Sequence, residues 1–177
     1  WLGGHKYFQD KFAPLINELK SFTARGGQFH YFEGNHDLHL KDFWQGVVGG
    51  QVHSDPEIFL FQDQVIRIEH GDQMNPEYRG YLFLRWLLRT WIFRLLILNL
   101  PGVIVSWVGY RASGASREYT DGRRDEDTIL NIIRKHAEKV SREQNFDVLL
   151  SGHVHLRDEY RFTKEGKTVC SYNLGSW

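Results

Sequence analysis

Three short apolar runs in this chain each lead into a loop that carries histidine with glycine, and that recurrence limits the folds open to it. Gln28-Phe29-His30-Tyr31-Phe32 leads into Gly34-Asn35-His36-Asp37. Val65-Ile66-Arg67-Ile68-Glu69 leads into His70-Gly71-Asp72. Asp147-Val148-Leu149-Leu150-Ser151 leads into Gly152-His153-Val154-His155. Runs of this length read as strands. An α/β sheet delivers the residues that follow its strands to one edge, where the carboxyl ends open into a crevice. One Gly-His pair is commonplace, His-x-His often marks a surface turn, and Asn-His-Asp alone could cap a helix. Three such groups, each after a strand, point instead to a metal site.

The donor types agree with that reading. His70, His153 and His155 can ligate as neutral imidazoles, and the Asn35 side-chain oxygen suits a harder ion. Nitrogen and oxygen donors without thiolate favour Mn, Fe or Zn. The lone Cys170 excludes an internal disulfide and any multi-cysteine site. Asp37 beside His36 is placed to orient that imidazole and keep it charged. A charged histidine near a phosphate could stabilise transition-state charge or protonate a leaving oxygen. His30, on a strand, and His136, on a helix stripe, read as packing residues, whereas His5 and His39 could line a cleft.

The rest of the pattern is that of one α/β domain over 1–177. Gln9 to about Ala24 is predicted as one amphipathic helix, with Phe12, Leu15, Ile16, Leu19 and Phe22 at helical spacing. Phe43 to Val48 is a short helix or turn. Ile58–Phe61 and Val65–Glu69 form a hairpin, and Tyr160–Phe162 with Thr168–Asn173 forms another. Asp125 to Glu143 is a helix with Ile129, Ile132, Ile133, His136 and Val140 along its inner stripe.

Residues 73–124 differ in composition. They hold eight Arg, no Lys or His, three acids and three of the six Trp, a net charge of +5 in a chain whose total is zero. Zero net charge gives no whole-chain attraction to nucleic acid, and none is expected as a partner. Tyr78 to Leu98 reads as one helix, broken at Asn99-Leu100-Pro101-Gly102 and resumed over Val103 to Tyr110. The longest charge-free run, Leu95 to Tyr110, has 16 residues, short of the roughly 20 that a spanning helix needs. Arginine without lysine suits bidentate phosphate binding. Tryptophan with arginine suits a helix lying at a membrane interface. The plain alternative is an amphipathic hairpin that covers the core with its arginines in water.

Together the three motifs resemble the later motifs of the calcineurin-like metallophosphoesterases, in order and in strand context. The resemblance implies an α/β/β/α sandwich, two β-sheets flanked by helices, with two divalent ions at the strand ends. It implies Asn35, His70 and His153 on one metal, His155 on the other, and His36 as a catalytic histidine that is not a ligand, oriented by Asp37. Manganese is the expected metal, with iron or zinc as alternatives. The family's earlier Asp-x-His and Gly-Asp motifs do not occur before Gly34. The first strand is therefore expected to be missing, and 1–177 alone is expected to be an inactive piece of an active enzyme.

Within the family, residues 73–124 are similar to the helical lid of the branch that hydrolyses UDP-2,3-diacylglucosamine in lipid A synthesis. The similarity rests on Tyr81 with Arg85, Leu100-Pro101, and Arg111 followed by Ser113. It implies substrate binding by Tyr81, Arg85 and Arg111, hydrolysis of a lipid-linked sugar nucleotide, and a peripheral position at the cytoplasmic face of the inner membrane. His36 departs from the Arg that many of that branch carry, which keeps a related diphosphate substrate open. Two further readings remain: a metallophosphoesterase for soluble phosphoproteins or nucleotides, and a non-catalytic scaffold. The oligomeric state is not legible.

Overall fold

The computed structural model describes residues 5–35, 37, 39–74, 79–121 and 125–175, with backbone alone for 79–82 and 112–121. The chain divides into two compact units, 1–54 with 79–122, and 55–78 with 123–177. Both are α/β.

The first unit begins with helices α1 (Lys6–Lys11) and α2 (Ala13–Ala24), where one helix was expected. The break falls at Phe12, whose φ of −109° and ψ of 19° leave the helical region, and Pro14 opens the second helix. Proline has no N–H to give a preceding turn, so it belongs at a helix start. Strand β1 (His30–Phe32) follows, then the short helix α3 (Lys41–Phe43), which runs into a π-helical turn over Trp44–Val48. Gly49, at φ 78°, ends that turn in the left-handed region open to glycine. Strand β2 (Gln51–His53) then pairs in parallel with β1. Ile16 of α2 packs with Leu40, Phe43, Trp44, Val48 and Val52 in one core, against which Leu19, Phe29 and Tyr31 also lie.

Three helices complete this unit: α4 (Arg79–Leu88), α5 (Trp91–Leu98) and α6 (Gly102–Asp121). The helix expected across Tyr78 to Leu98 is thus two. The Thr90 side chain accepts a hydrogen bond from the Phe93 N–H, an N-cap that starts a new helix. The last turn of α4 is fastened to the unit by Arg85 Nη2, which donates to the Ser54 carbonyl at 2.9 Å. His39 Nε2 donates to the Leu88 carbonyl at 3.1 Å. Beyond that turn many of the described apolar side chains are exposed, Trp91, Leu96, Val103 and Trp107 among them, while Val105 is buried. No single described helix is long and apolar enough to cross a membrane, but α5 and the start of α6 pass that test together as a pair bent by 119°.

The second unit is a five-stranded sheet in the order β3-β4-β5-β7-β6. Its strands are β3 (Glu57–Phe61), β4 (Gln64–Glu69), β5 (Val148–Ser151), β6 (Asp158–Lys164) and β7 (Lys167–Asn173). Two tight hairpins supply the antiparallel pairs. Gln62 and Asp63 have φ of 47° and 64°, and Glu165 and Gly166 have 52° and 81°. Positive φ at both central residues gives the turn whose twist matches the flanking strands. Between β4 and β5 the pairing is parallel, so a long connection must return the chain, and helix α7 (Glu126–Glu143) ends it. Asp125 caps α7 by accepting from the Thr128 N–H at 2.7 Å. Its Ala137 and Val140 pack with Phe146, Leu149 and Val169 on one face of the sheet.

Candidate functional site

Parallel pairing explains how the second unit brings two histidines together. Glu69 at the end of β4 is in register with Ser151 at the end of β5, and Ser151 with Asn173 at the end of β7. The residues that follow Glu69 and Ser151 therefore leave the sheet at the same edge. Gly152 N–H donates to the His70 carbonyl at 3.1 Å, which joins the two loops just past the strands. Gly71 lets them approach. Its φ is 98°, and a Cβ there would lie 2.8 Å from the Gly152 carbonyl oxygen. As a result the His70 and His153 rings stand 5.2 Å apart between centroids, at 66°. His70 is half-buried, with its Nε2 atom fully so, while His153 and His155 are exposed.

This pair fits a divalent ion. Metal–nitrogen bonds of about 2.0–2.1 Å place the centroids of two imidazoles on one ion roughly 5 Å apart. Among the described residues no three His, Cys, Asp or Glu side chains converge. The second unit therefore offers a two-imidazole arm, with His155 two residues further along the same loop.

Residues that the sequence reading passed over hold this arm. Asn173 is 1% exposed. Its Nδ2 donates to the Val154 and Leu156 carbonyls at 2.9 and 2.6 Å, and its Oδ1 accepts from Ser151 Oγ at 3.3 Å. It thereby pins the loop that carries His153, whose φ of 66° is unusual for a side chain with a Cβ. Glu69, also buried, is met by His136 Nε2 at 2.5 Å and by Arg67 Nε at 3.0 Å. Burial pushes the Glu69 carboxyl up, but the hydrogen bond and charge of His136, with Arg67, hold it below the usual range. The inner-stripe His136 thus ties α7 to the residue before His70. One signal for this was available: Arg67 and Glu69 sit two apart in a strand and so share a face.

The first unit carries the Gly34–Asp37 loop just after β1. Asn35 and Asp37 are half-buried there, and His36 lies outside the described residues. Asp37 N–H donates to the Gly34 carbonyl at 3.2 Å, and Asp37 Oδ2 accepts from Tyr31 Oη at 2.9 Å and from Gly34 N–H at 3.3 Å. Asp37 therefore folds the loop back on its own strand. Burial, reinforced by the Asp37 carboxylate, raises the Tyr31 hydroxyl well above its usual range, so it remains a proton donor. Glu33, not singled out from the sequence, is buried at 6% exposure at the head of the loop. It takes hydrogen bonds from Leu40 N–H at 2.9 Å and Ser54 Oγ at 2.7 Å.

The residues expected to bind substrate belong to the same unit. Arg85 is half-buried with one nitrogen on the Ser54 carbonyl. Arg111 is exposed, with its guanidinium 4.8 Å from the centroid of the Trp107 ring. Tyr81 lies in α4, but its side chain is outside the description. His39 and His5 have structural partners. Burial lowers the pKa of His39, and His5 caps α1 by accepting from Tyr7 N–H. His30 meets His53 at 3.0 Å across the β1–β2 ladder.

No family model matches the chain. The whole chain is nevertheless similar to curated proteins named UDP-2,3-diacylglucosamine hydrolase. That of Aliivibrio fischeri is 24% identical over 184 residues, with all of this chain and 72% of the relative covered. That of Coxiella burnetii is 23% identical, with all of this chain and 71% of the relative covered. That of Stutzerimonas stutzeri is 24% identical, with all of this chain and 72% of the relative covered.

Proposed function

We propose that this relative of the UDP-2,3-diacylglucosamine hydrolases is a metal-dependent hydrolase that cleaves the pyrophosphate of UDP-2,3-diacylglucosamine or a related lipid-linked sugar nucleotide. The observation that carries the metal dependence is the His70–His153 ring pair at 5.2 Å. Similarity over the whole of this chain to proteins named UDP-2,3-diacylglucosamine hydrolase carries the choice of substrate.

His70 and His153 are the metal-holding imidazoles of the second unit, His155 is the donor toward a second ion, and Asn35 is the oxygen donor of the first unit. All three histidines must be neutral at the ligating nitrogen, because a protonated imidazole has no lone pair to give. Two divalent ions, preferably manganese with iron or zinc as alternatives, would supply Lewis-acid polarisation of the phosphoryl group and lower the pKa of the attacking water. His36 donates a proton to the leaving phosphate oxygen, and Asp37 fixes the loop on which it sits. Arg85 of α4 and Arg111 of α6 bind phosphate oxygens, and Tyr81 serves with them in binding substrate. The exposed apolar side chains of α5 and α6, including Trp91, Leu95 and Leu96, hold the acyl chains at a membrane surface.

Release of UMP from UDP-2,3-diacylglucosamine by the full-length protein tests this reading, with Mn²⁺ and with EDTA. Metal-dependent release, lowered roughly 10²–10⁴-fold in kcat by His36→Ala with metal content intact, is expected. Absence of release alongside turnover of a soluble nucleotide or phosphoprotein would replace it with the soluble-substrate reading.

A further inference from the structure

We infer that Glu33 is a positioning residue through which helix α4 sets the geometry of the Asn35–Asp37 loop. The inference rests on the proposed roles of that loop and of the 79–121 helices, and it adds a coupling between them.

The geometry lies wholly within the first unit. Glu33 N–H donates to the His53 carbonyl at 2.9 Å, which extends the β1–β2 ladder by one residue. Its side chain then turns back. Oε1 accepts from Leu40 N–H at 2.9 Å, so one carboxylate closes the loop from Glu33 to Leu40 at both ends. Asn35, His36 and Asp37 lie inside that closure. The other oxygen faces α4. Oε2 accepts from Ser54 Oγ at 2.7 Å and lies 3.5 Å from Arg89 Nη1, just past the end of the helix. Two more contacts run in parallel. Arg85 Nη2 binds the Ser54 carbonyl, and His39, inside the loop at φ 54°, binds the Leu88 carbonyl. The end of α4 is therefore fastened to the loop's carboxylate, to the residue that carboxylate binds, and, through the Leu88 carbonyl, to the His39 side chain of the loop.

These contacts make the loop respond to α4. Glu33 is 6% exposed and the Arg89 side chain 20%, so water screens the pair poorly. The carboxylate is shared between loop and helix, and a shift of α4 alters the charge that holds Glu33 across the loop. A substrate seated against α4 thus fixes the position of Asn35 and Asp37 as well as its own. The ion pair uses one guanidinium nitrogen, while Arg89 Nη2 is buried with no hydrogen bond among the described residues. Because the contact is single-pronged, a lysine can replace it in part, which a two-pronged contact would not allow.

The test compares the full-length wild type with Arg89→Gln, Arg89→Lys and Glu33→Gln. Amide hydrogen exchange over peptides spanning 33–40 is read first, because it needs no turnover. Exchange there should be about tenfold faster in Arg89→Gln and Glu33→Gln, with most of the protection restored in Arg89→Lys. Steady-state kinetics follow, on UDP-2,3-diacylglucosamine and on a small nitrophenyl phosphodiester that does not reach α4. Both glutamine variants should lower kcat about tenfold on both substrates with KM nearly unchanged, and Arg89→Lys should recover part of it. Unchanged exchange over 33–40, or unchanged kcat with a lowered melting temperature, overturns the coupling. A rise in KM confined to the diacyl substrate also overturns it, since Arg89 would then bind substrate directly. If the wild type hydrolyses neither compound, the proposed function fails, and the exchange result alone decides the coupling.

Discussion

The imidazoles of His70 and His153 stand 5.2 Å apart because Gly71 lets its loop pass against the Gly152 carbonyl. An added methyl at Gly71 would meet that oxygen at 2.8 Å, on a backbone at φ 98° that side chains disfavour. Gly71→Ala should therefore push the two histidines apart and lower metal occupancy, as His70→Ala and His153→Ala should. Elemental analysis after dialysis checks this, with wild-type occupancy expected to survive in a variant such as Glu165→Gln, in a distant turn. Full occupancy in His70→Ala and His153→Ala would remove the metal assignment.

Asn173 is the next point of weakness, although no ligand role attaches to it. Its side chain satisfies two carbonyls of the His153 loop from a fully buried position. Asn173→Ala strands those groups, at a cost of roughly 1–3 kcal/mol. Asn173→Asp should be worse, because a carboxylate then faces two carbonyl oxygens with no proton to share. Urea unfolding should rank wild type above Ala and Ala above Asp, and the reverse order for the two variants would show that the loop is held otherwise.

These two residues mark what was legible in the sequence and what was not. The apolar runs, the turn residues and the α7 stripe gave the strands of the second unit and the loops that carry His70 and His153, because periodicity and turn chemistry are local. The contacts that hold those loops are not local. Asn173 acts on carbonyls 17 and 19 residues away, and Glu69 meets His136 across 67. A backbone carbonyl leaves no trace in residue type. Strand β2 was missed because Gln51-Val52-His53 has a single apolar residue and forms by pairing with β1. The two unexpected helix breaks had local signs, Pro14 and Thr90, which the apolar spacing across them outweighed.

Asp147 links stability to pH. Its Oδ2 accepts from the Val65 N–H at 2.7 Å, and Lys167 pairs with Oδ1, so one carboxylate ties the starts of β4, β5 and β7. The Lys167 hydrogen bond first, then that of Val65, hold its carboxyl below the usual range. A carboxyl depressed in the folded state binds fewer protons there than in the unfolded chain. Its contribution is complete above the ordinary value of about 3.9 and is lost as pH falls through the folded-state pKa. Melting temperature should therefore fall between about pH 5 and pH 2, and less steeply in Asp147→Asn. Equal slopes for the two proteins would show that other carboxylates govern acid unfolding.

Trp91, Ile92, Leu95, Leu96 and Leu100 line an apolar groove that α5 opens to solvent. Leaving such side chains in water is costly for a surface with no partner. If acyl chains occupy the groove, each buried methylene contributes about 0.8 kcal/mol, so two more carbons should improve kcat/KM by roughly tenfold. Replacing Leu95 and Leu96 by Ser should flatten that dependence without changing kcat on a nitrophenyl phosphodiester, since both side chains are exposed and carry no group for phosphoryl chemistry. Arg85→Ala with Arg111→Ala should instead lower kcat/KM for diacyl substrates of every length by a common factor, because the phosphates do not change with the chain. The measurement is kcat/KM across substrates of increasing acyl length for wild type and both double variants. A wild type indifferent to acyl length would remove the lipid from the reading and leave a hydrolase of soluble diphosphates.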